Sequence, residues 1–256
     1  MLRALTRQPS LSLVNCEITH VSRQPIDIQL AFRQHESYCQ SLRGMGVEVE
    51  SLSPLEAYPD SVFIEDNAIV LDELAVVTSL GKASRQGEVM SLRPILSRFR
   101  SLVDLLPPAT IEGGDVLRVG KRLIVGVSSR TNQRGVEALR EIVEPLGYDV
   151  TTVSIHHCLH LKTACTALDE ETLLVNSEWL DVEVFKQFRL LSVPSSEPFG
   201  ANVVRVADGI LANAIFPRTL EVLRKAGHSV IEVDISEFSK AEAGVTCLSL
   251  IIEGHL

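Results

Sequence analysis

The feature that most constrains this chain is that it repeats itself. Four stretches, residues 66–77, 114–125, 165–175 and 202–211, each read as two strands joined by a tight turn. In each, β-branched or apolar residues flank a turn built from Asp, Glu, Gly or Lys. The turns fall near residues 72, 120, 169 and 208, at spacings of 48, 49 and 39. A second pattern is interleaved with the first. A helical stretch ends at a glycine and a short alternating strand follows, at residues 42–50, 143–150 and 223–231. Glycine is the expected helix stop, because it adopts the left-handed conformation without a Cβ clash. The preceding helices carry a one-sided apolar face, as with Val136, Leu139, Ile142 and Val143 in the helix expected over 131–144. The unit is hairpin, helix, strand in roughly 50 residues. A fifth hairpin is expected from residues 246–252 paired with residues 2–5, and the 256 residues hold about five units. No polar capping repeat marks either end, which favours closure over an open stack. The expected fold class is therefore α/β, a closed five-module propeller that brings equivalent loops together on its axis. No Gly/Ser tract, Pro-rich stretch or charge block marks a linker, so residues 1–256 are expected to form a single domain.

Composition narrows the function. A net charge of −9 argues against a nucleic-acid or anionic-membrane partner and suits a cationic small molecule. No apolar run approaches the roughly 20 residues of a membrane helix. The stretch from Met1 to Pro9 lacks the apolar core and cleavage site of a signal peptide, so a cytoplasmic location is expected. The five cysteines, Cys16, Cys39, Cys158, Cys165 and Cys247, are odd in number and form no Cys-x-x-Cys pair, which fits reduced thiols.

The loops that a propeller would gather on its axis are rich in reactive residues. Asp60, Glu65 and Asp66 follow one strand. Glu112 and Asp115 lie in the next unit, His156, His157 and His160 in another, and Cys247 follows Gly244. A cysteine with a nearby histidine and a carboxylate supplies a nucleophile, a base and an orienting group. Each residue also has a plainer reading. Cys16, Cys39, Cys158 and Cys165 are read as small buried hydrophobes. Isolated acids such as Asp60 are more often turn residues than catalysts. His156 and His160 are four apart, but the segments on both sides, including residues 161–163, read as strand, so no helical metal site is expected. Gly113-Gly114 lacks phosphate-loop spacing, which removes nucleotide binding.

Five dispersed motifs then carry a resemblance. They are residues 58–66 (Tyr-Pro-Asp-Ser-Val-Phe-Ile-Glu-Asp), Glu112 to Asp115, Ser129-Arg130-Thr131-Asn132, His160-Leu161-Lys162-Thr163, and Gly244-Val245-Thr246-Cys247 with Ser249-Leu250. In this order they resemble the dimethylarginine dimethylaminohydrolase family of the guanidino-group-modifying (pentein) superfamily, whose fold is a five-module α/β propeller. The resemblance implies Cys247 as nucleophile, His160 as general acid and base, Glu112 as the group orienting His160, and Asp66 as guanidinium partner. It further implies Asp60, Glu65 and the backbone near Ile18 and Ala241 as substrate contacts, and Arg85 and Arg130 as a clamp on the α-carboxylate. It implies hydrolysis of dimethyl- or monomethylarginine to citrulline and a methylamine, with no metal, nucleotide or organic cofactor. Arginine deiminase or amidinotransferase chemistry, and a catalytically silent arginine-binding propeller, are the alternatives. Residues 15–19 and 198–202 match the family loosely, and these segments bear on which N-substituent fits. The partners expected are a small guanidino amino acid and, as a candidate assembly, a second copy in a homodimer, with neither nucleic acid nor membrane.

Overall fold

The computed structural model describes residues 2–254; Met1, His255 and Leu256, which fall within the expected 1–256 domain, lie outside the described residues. Five three-stranded sheets follow one another, each with an antiparallel hairpin and a third strand added in parallel. The N-terminal strand β1 (Leu2–Arg7) pairs with β2 (Glu48–Leu52) and with the C-terminal strand β15 (Ser249–Glu253). This is the fifth hairpin expected from the sequence, closed between the two ends of the chain. The second module holds β3 (Ala68–Val70), β4 (Leu74–Val77) and β5 (Ser101–Asp104), and the third holds β6 (Val116–Val119), β7 (Arg122–Val127) and β8 (Asp149–Ser154). The fourth holds β9 (Cys165–Ala167), β10 (Thr172–Val175) and β11 (Arg189–Ser192), and the fifth β12 (Val203–Val206), β13 (Gly209–Asn213) and β14 (Ser229–Val233).

A parallel third strand requires a crossover, and helices supply it in four modules. They are α1 (Ile28–Gly44), α2 (Val89–Leu96), α3 (Gln133–Val143) and, in the fifth module, the helix Pro217–Lys225. The fourth module crosses with only a short 3-10 turn, Val182–Phe185. That missing helix accounts for the short spacing of 39 between the turns near 169 and 208. The glycine stops are present with one shift. Gly147 and Gly227 are left-handed at φ 83° and 93°, but after α1 the left-handed residue is Gly46 and not Gly44, which ends the helix itself. Asn132 caps α3 by accepting from the Gly135 N–H at 2.8 Å.

Five apolar clusters hold the ring together, one at each junction. Ile69 and Val76 of the second module pack with Leu123, Val136 and Leu139 of the third. Ile124 and Val153 of the third meet Leu173 and Phe185 of the fourth. Leu174 meets Ile210 and Leu223 of the fifth, Val206 and Leu211 meet Ala31, Tyr38 and Leu42 of the first, and Leu250 and Ile252 meet Ala68 and Leu92 of the second. Because each core is shared by two modules, none can bury its apolar face alone. The fold is a five-module α/β propeller.

Candidate active site

In every module the innermost strand is entered through a short turn, and those turns meet on the axis. The turn Ile64–Asn67 precedes β3 and carries Glu65 and Asp66. Gly113–Asp115 precedes β6 directly after Glu112. A single helical turn, Leu161–Ala164, precedes β9, with His160 as its N-cap. Residues 161–163, expected as strand, are thus helical, and the strand begins only at Cys165. Thr246–Leu248 precedes β15 and carries Cys247.

Hydrogen bonds link these turns around the ring. Gly114 N–H donates to Asp66 Oδ1 at 3.1 Å, and Leu161 N–H to Asp115 Oδ1 at 3.0 Å. Asn202 Nδ2 donates to the Lys162 carbonyl at 2.8 Å, while Thr246 N–H donates to Asn202 Oδ1 at 2.9 Å. Thr246 Oγ1 closes the circle by donating to Glu65 Oε2 at 2.6 Å, and Lys162 Nζ reaches Glu65 Oε1 at 2.6 Å. A cavity of about 290 Å3 runs between the innermost strands, lined by Glu65, Lys162 and Thr246 but not by His160 or Cys247.

His160 Nε2 lies 2.7 Å from Glu112 Oε2, and both side chains are buried. With that N–H given to the carboxylate, Nδ1 is the nitrogen left for proton transfer; it sits 3.8 Å from Asp66 Oδ1. Burial alone would push the imidazolium pKa down, but the charges of Asp66 and Asp115 and the Glu112 contact hold it up at about 9. Burial would likewise raise the Glu112 carboxyl, yet His160, Arg85 and Arg130 keep it well below the ordinary range. Asp115 sits fully buried, accepting from Ser128 Oγ and Thr131 Oγ1 at 2.6 Å each, and burial raises its carboxyl.

Cys247 is half-buried, whereas Cys16, Cys39, Cys158 and Cys165 are buried. Burial pushes the Cys247 thiol up, and the carboxylates of Glu65 and Asp66 push it further. The resting thiol is therefore protonated, and a cation between it and those carboxylates would favour the thiolate.

Arg85 and Arg130 are both buried here. Arg85 bonds Glu88 through Nε at 2.9 Å and Nη2 at 3.0 Å, donates from Nη1 to Asp66 Oδ2 at 2.8 Å, and lies 3.9 Å from Glu112. Its guanidinium already balances three carboxylates. Arg130 lies 3.5 Å from Glu112 Oε1, and its Nε and Nη1 have no hydrogen-bond partner among the described residues. Both oxygens of Asp60 accept from the Glu17 N–H at 3.2 Å. Ile18 packs partly buried beside the cluster that includes Ala241. Of the expected residues, Asp66, Arg85, Glu112, Arg130 and His160 are linked by direct contacts, while Cys247, like Ile18, packs against the cluster that includes Ala241. Sequence reasoning gave no role to Glu88, Asp115, Lys162, Asn202, Thr246 or Glu242. Asp115, Lys162 and Thr246 lay inside the family motifs; Glu88 could be found as an acid three residues after Arg85.

Asp66, Glu112 and His160 place ligand-type atoms within 4.8 Å of one another. Arg85, already paired with Asp66, supplies the positive charge there, so the set does not favour a metal cation. His156 and His157, by contrast, are exposed and stand apart from His160's buried partners.

The comparisons agree with this geometry. The arginine deiminase family model matches residues 52–198. A dimethylarginine dimethylaminohydrolase of Streptomyces coelicolor is 39% identical over 97% of this chain and 96% of its own, and that of Pseudomonas aeruginosa is 34% identical over 96% and 97%. The Pseudomonas enzyme, as a cysteine-to-serine mutant complexed with citrulline, has a TM-score of 0.94 at 33% identity, covering 98% of both chains. A dimethylarginine dimethylaminohydrolase carrying a histidine-to-glycine change, in an adduct with S-methyl-L-thiocitrulline, also has a TM-score of 0.94 at 33% identity, covering 98% of this chain and 99% of its own. On these grounds the chain belongs to the dimethylarginine dimethylaminohydrolase family.

Proposed function

We propose that the protein hydrolyses N-methylated L-arginine to L-citrulline and a methylamine. The observation that carries this reading is the buried His160–Glu112 pair beside Asp66, at 2.7 and 3.8 Å, in a chain that shares its family with the relatives above. The citrulline complex and the thiocitrulline adduct of those relatives support chemistry at a cysteine.

A guanidinium resists attack because its charge is delocalised over three nitrogens. Asp66 takes it by charge-assisted hydrogen bonds, and the bound cation offsets the carboxylates that keep Cys247 protonated. As the cation binds, the Cys247 thiol loses its proton to solvent, and the thiolate bonds to the central carbon. The tetrahedral adduct collapses as His160 gives its proton to the departing methylamine. A thiouronium remains on Cys247. Water, deprotonated by His160, adds to it; the C–S bond breaks and citrulline leaves. Glu112 holds the imidazole through both proton transfers.

At the amino-acid end, Arg130, whose Nε has no hydrogen-bond partner among the described residues and whose Nη1 only approaches Glu112 at 3.5 Å, is the better placed carboxylate contact; Arg85 would first have to share its existing carboxylates. Asp60, Glu65, Ile18 and Ala241 complete the substrate contacts. Residues 1–256 then form one domain in the cytoplasm, with a homodimer as the candidate assembly; among the described residues no helix is long and apolar enough to cross a membrane.

The test is to incubate the protein with asymmetric dimethylarginine, monomethylarginine, arginine and agmatine and to identify both products. Citrulline with dimethylamine or methylamine supports the reading. Citrulline with ammonia from arginine makes it a deiminase, a new guanidino compound makes it an amidinotransferase, and no product leaves a silent binder.

A further inference from the structure

Glu242 has no role in the chemistry above, yet its placement is unusual. It is buried, and its backbone is left-handed at φ 62°, a conformation that side-chain-bearing residues rarely adopt. Its carboxylate accepts three consecutive backbone N–H groups across the chain: Thr19 at 2.8 Å, His20, and Val21 at 3.0 Å. Three successive amides converging on one anion form a nest. The nest belongs to the segment that carries Ile18. Two residues earlier, the Glu17 N–H meets Asp60, and Ser84 Oγ donates to the Glu17 carboxylate at 2.8 Å. Thr19 and His20 are exposed, so packing does little to fix this stretch.

We propose that Glu242 is a positioning residue: its carboxylate straps residues 17–21 against Asp60 and thereby sets how well the substrate's amino-acid end is held. This deepens the functional reading above and rests on it for the substrate. Asp60 comes from the second module and Glu242 from the turn before Cys247. The strap therefore joins the wall that receives the amino-acid end to the segment that leads into the nucleophile. It acts through the backbone of residues 17–21 and not on the reacting carbon.

The experiment compares the wild type with Glu242→Gln and Glu242→Asn. Gln keeps the size, and Asn tolerates the left-handed backbone if Gln folds poorly. Hydrogen exchange of the amides of Thr19, His20 and Val21 is measured without substrate, and KM and kcat with dimethylarginine. Exchange there should accelerate about 10-fold or more, and KM should rise about 5-fold or more with kcat within about 2-fold. Glu242→Asp, which retains the charge, should recover part of the KM. Unchanged exchange in both variants overturns the strap, and faster exchange with unchanged KM overturns its positioning role. A wild type that forms no citrulline from any methylarginine overturns the functional reading alone, because the exchange measurement needs no substrate.

Discussion

Two histidines lie almost equally deep in this protein, and their surroundings push them in opposite directions. His160, on the axis, is 4% exposed, and His35, on α1 at the rim, is 3% exposed. Burial disfavours the charged form of both. Around His35 little opposes it: the Cys39 sulfur is 3.8 Å from Nδ1, and Nε2 has no partner among the described residues, so burial holds the pKa down at about 4. Around His160, Asp66, Asp115 and Glu112 reverse the outcome. The rim is built by apolar packing, with polar groups tolerated in it. The axis is built by charges that only ring closure brings together. That contrast says where each substitution should act.

The largest difference should separate cysteines. Cys247→Ser should lower kcat by about 10^3-fold or more, because serine has no accessible anion at neutral pH. Cys165→Ser, deep between the third and fourth modules, should act on stability and leave kcat nearly unchanged. Product formation under single-turnover conditions checks both, and near-normal turnover in Cys247→Ser would break the assignment.

Next come the two buried arginines. Arg85→Leu leaves Glu88 and Asp66 buried without their cation, which should cost about 3–5 kcal/mol of folding stability. Arg130 has fewer partners to strand, so Arg130→Leu should cost less stability but raise KM more. Urea unfolding beside steady-state kinetics tests the crossing order. Arg43→Leu, whose pair with Glu36 is exposed, should do neither. If Arg85→Leu raises KM without loss of stability, its contacts with Glu88 and Asp66 are not what fixes it.

The histidines themselves predict opposite pH dependence. His160 is held above its ordinary 6.5, so its stabilisation is full below about 6.5 and is lost as pH rises through about 9. Glu112 is held below its ordinary 4.5, so its contribution is full above that value and fades as pH falls. His35 is held below 6.5; the unfolded chain protonates first, and stability falls from about 6.5 down to about 4. Denaturation midpoints at pH 4.5, 6, 7.5 and 9 should show His160→Gln flattening the alkaline decline and His35→Leu the acid one. A variant that tracks the wild-type curve removes its histidine from the account.

The rim was far more legible in the sequence than the axis. Turns near Gly120 and Asp208 and the α3 stripe of Val136 and Leu139 announce themselves, because local conformation and periodicity are written in neighbouring residues. For the same reason, the crossovers of the second and fourth modules were not singled out. That of the fourth is the four-residue turn Val182–Phe185, too short to show a period, and α2, with Pro94 inside it, lacks the glycine stop of its counterparts. Cys247, His160, Glu112 and Asp66 were named because their motifs resemble a family. Asp115, which helps set the charge of His160, meets it through a contact between modules that no local pattern encodes; Glu88, three residues after Arg85, carries a local spacing but no motif. Residues 161–163 read as strand because the single helical turn they belong to, Leu161–Ala164, carries no periodicity.

The smallest effects should come from glycines, and they sharpen the same contrast. At the rim, Gly147 takes φ 83°, and a Cβ there would meet nothing within 4 Å. Gly147→Ala should cost only the left-handed strain, about 1 kcal/mol, with kcat and KM unchanged. At the axis, Gly114 needs no unusual φ, but a Cβ would lie 2.7 Å from His160 Nδ1 and 2.9 Å from Asp66 Oδ1. Alanine there must displace the imidazole or the carboxylate, the two groups that handle the proton and the cation. Gly114→Ala should therefore lower kcat with a modest change in stability, the reverse of Gly147→Ala. Thermal unfolding and initial rates on the two variants are enough to decide. If Gly114→Ala retains full kcat, the imidazole has room to move, and the close approach of the third module's backbone is not what holds His160 in line.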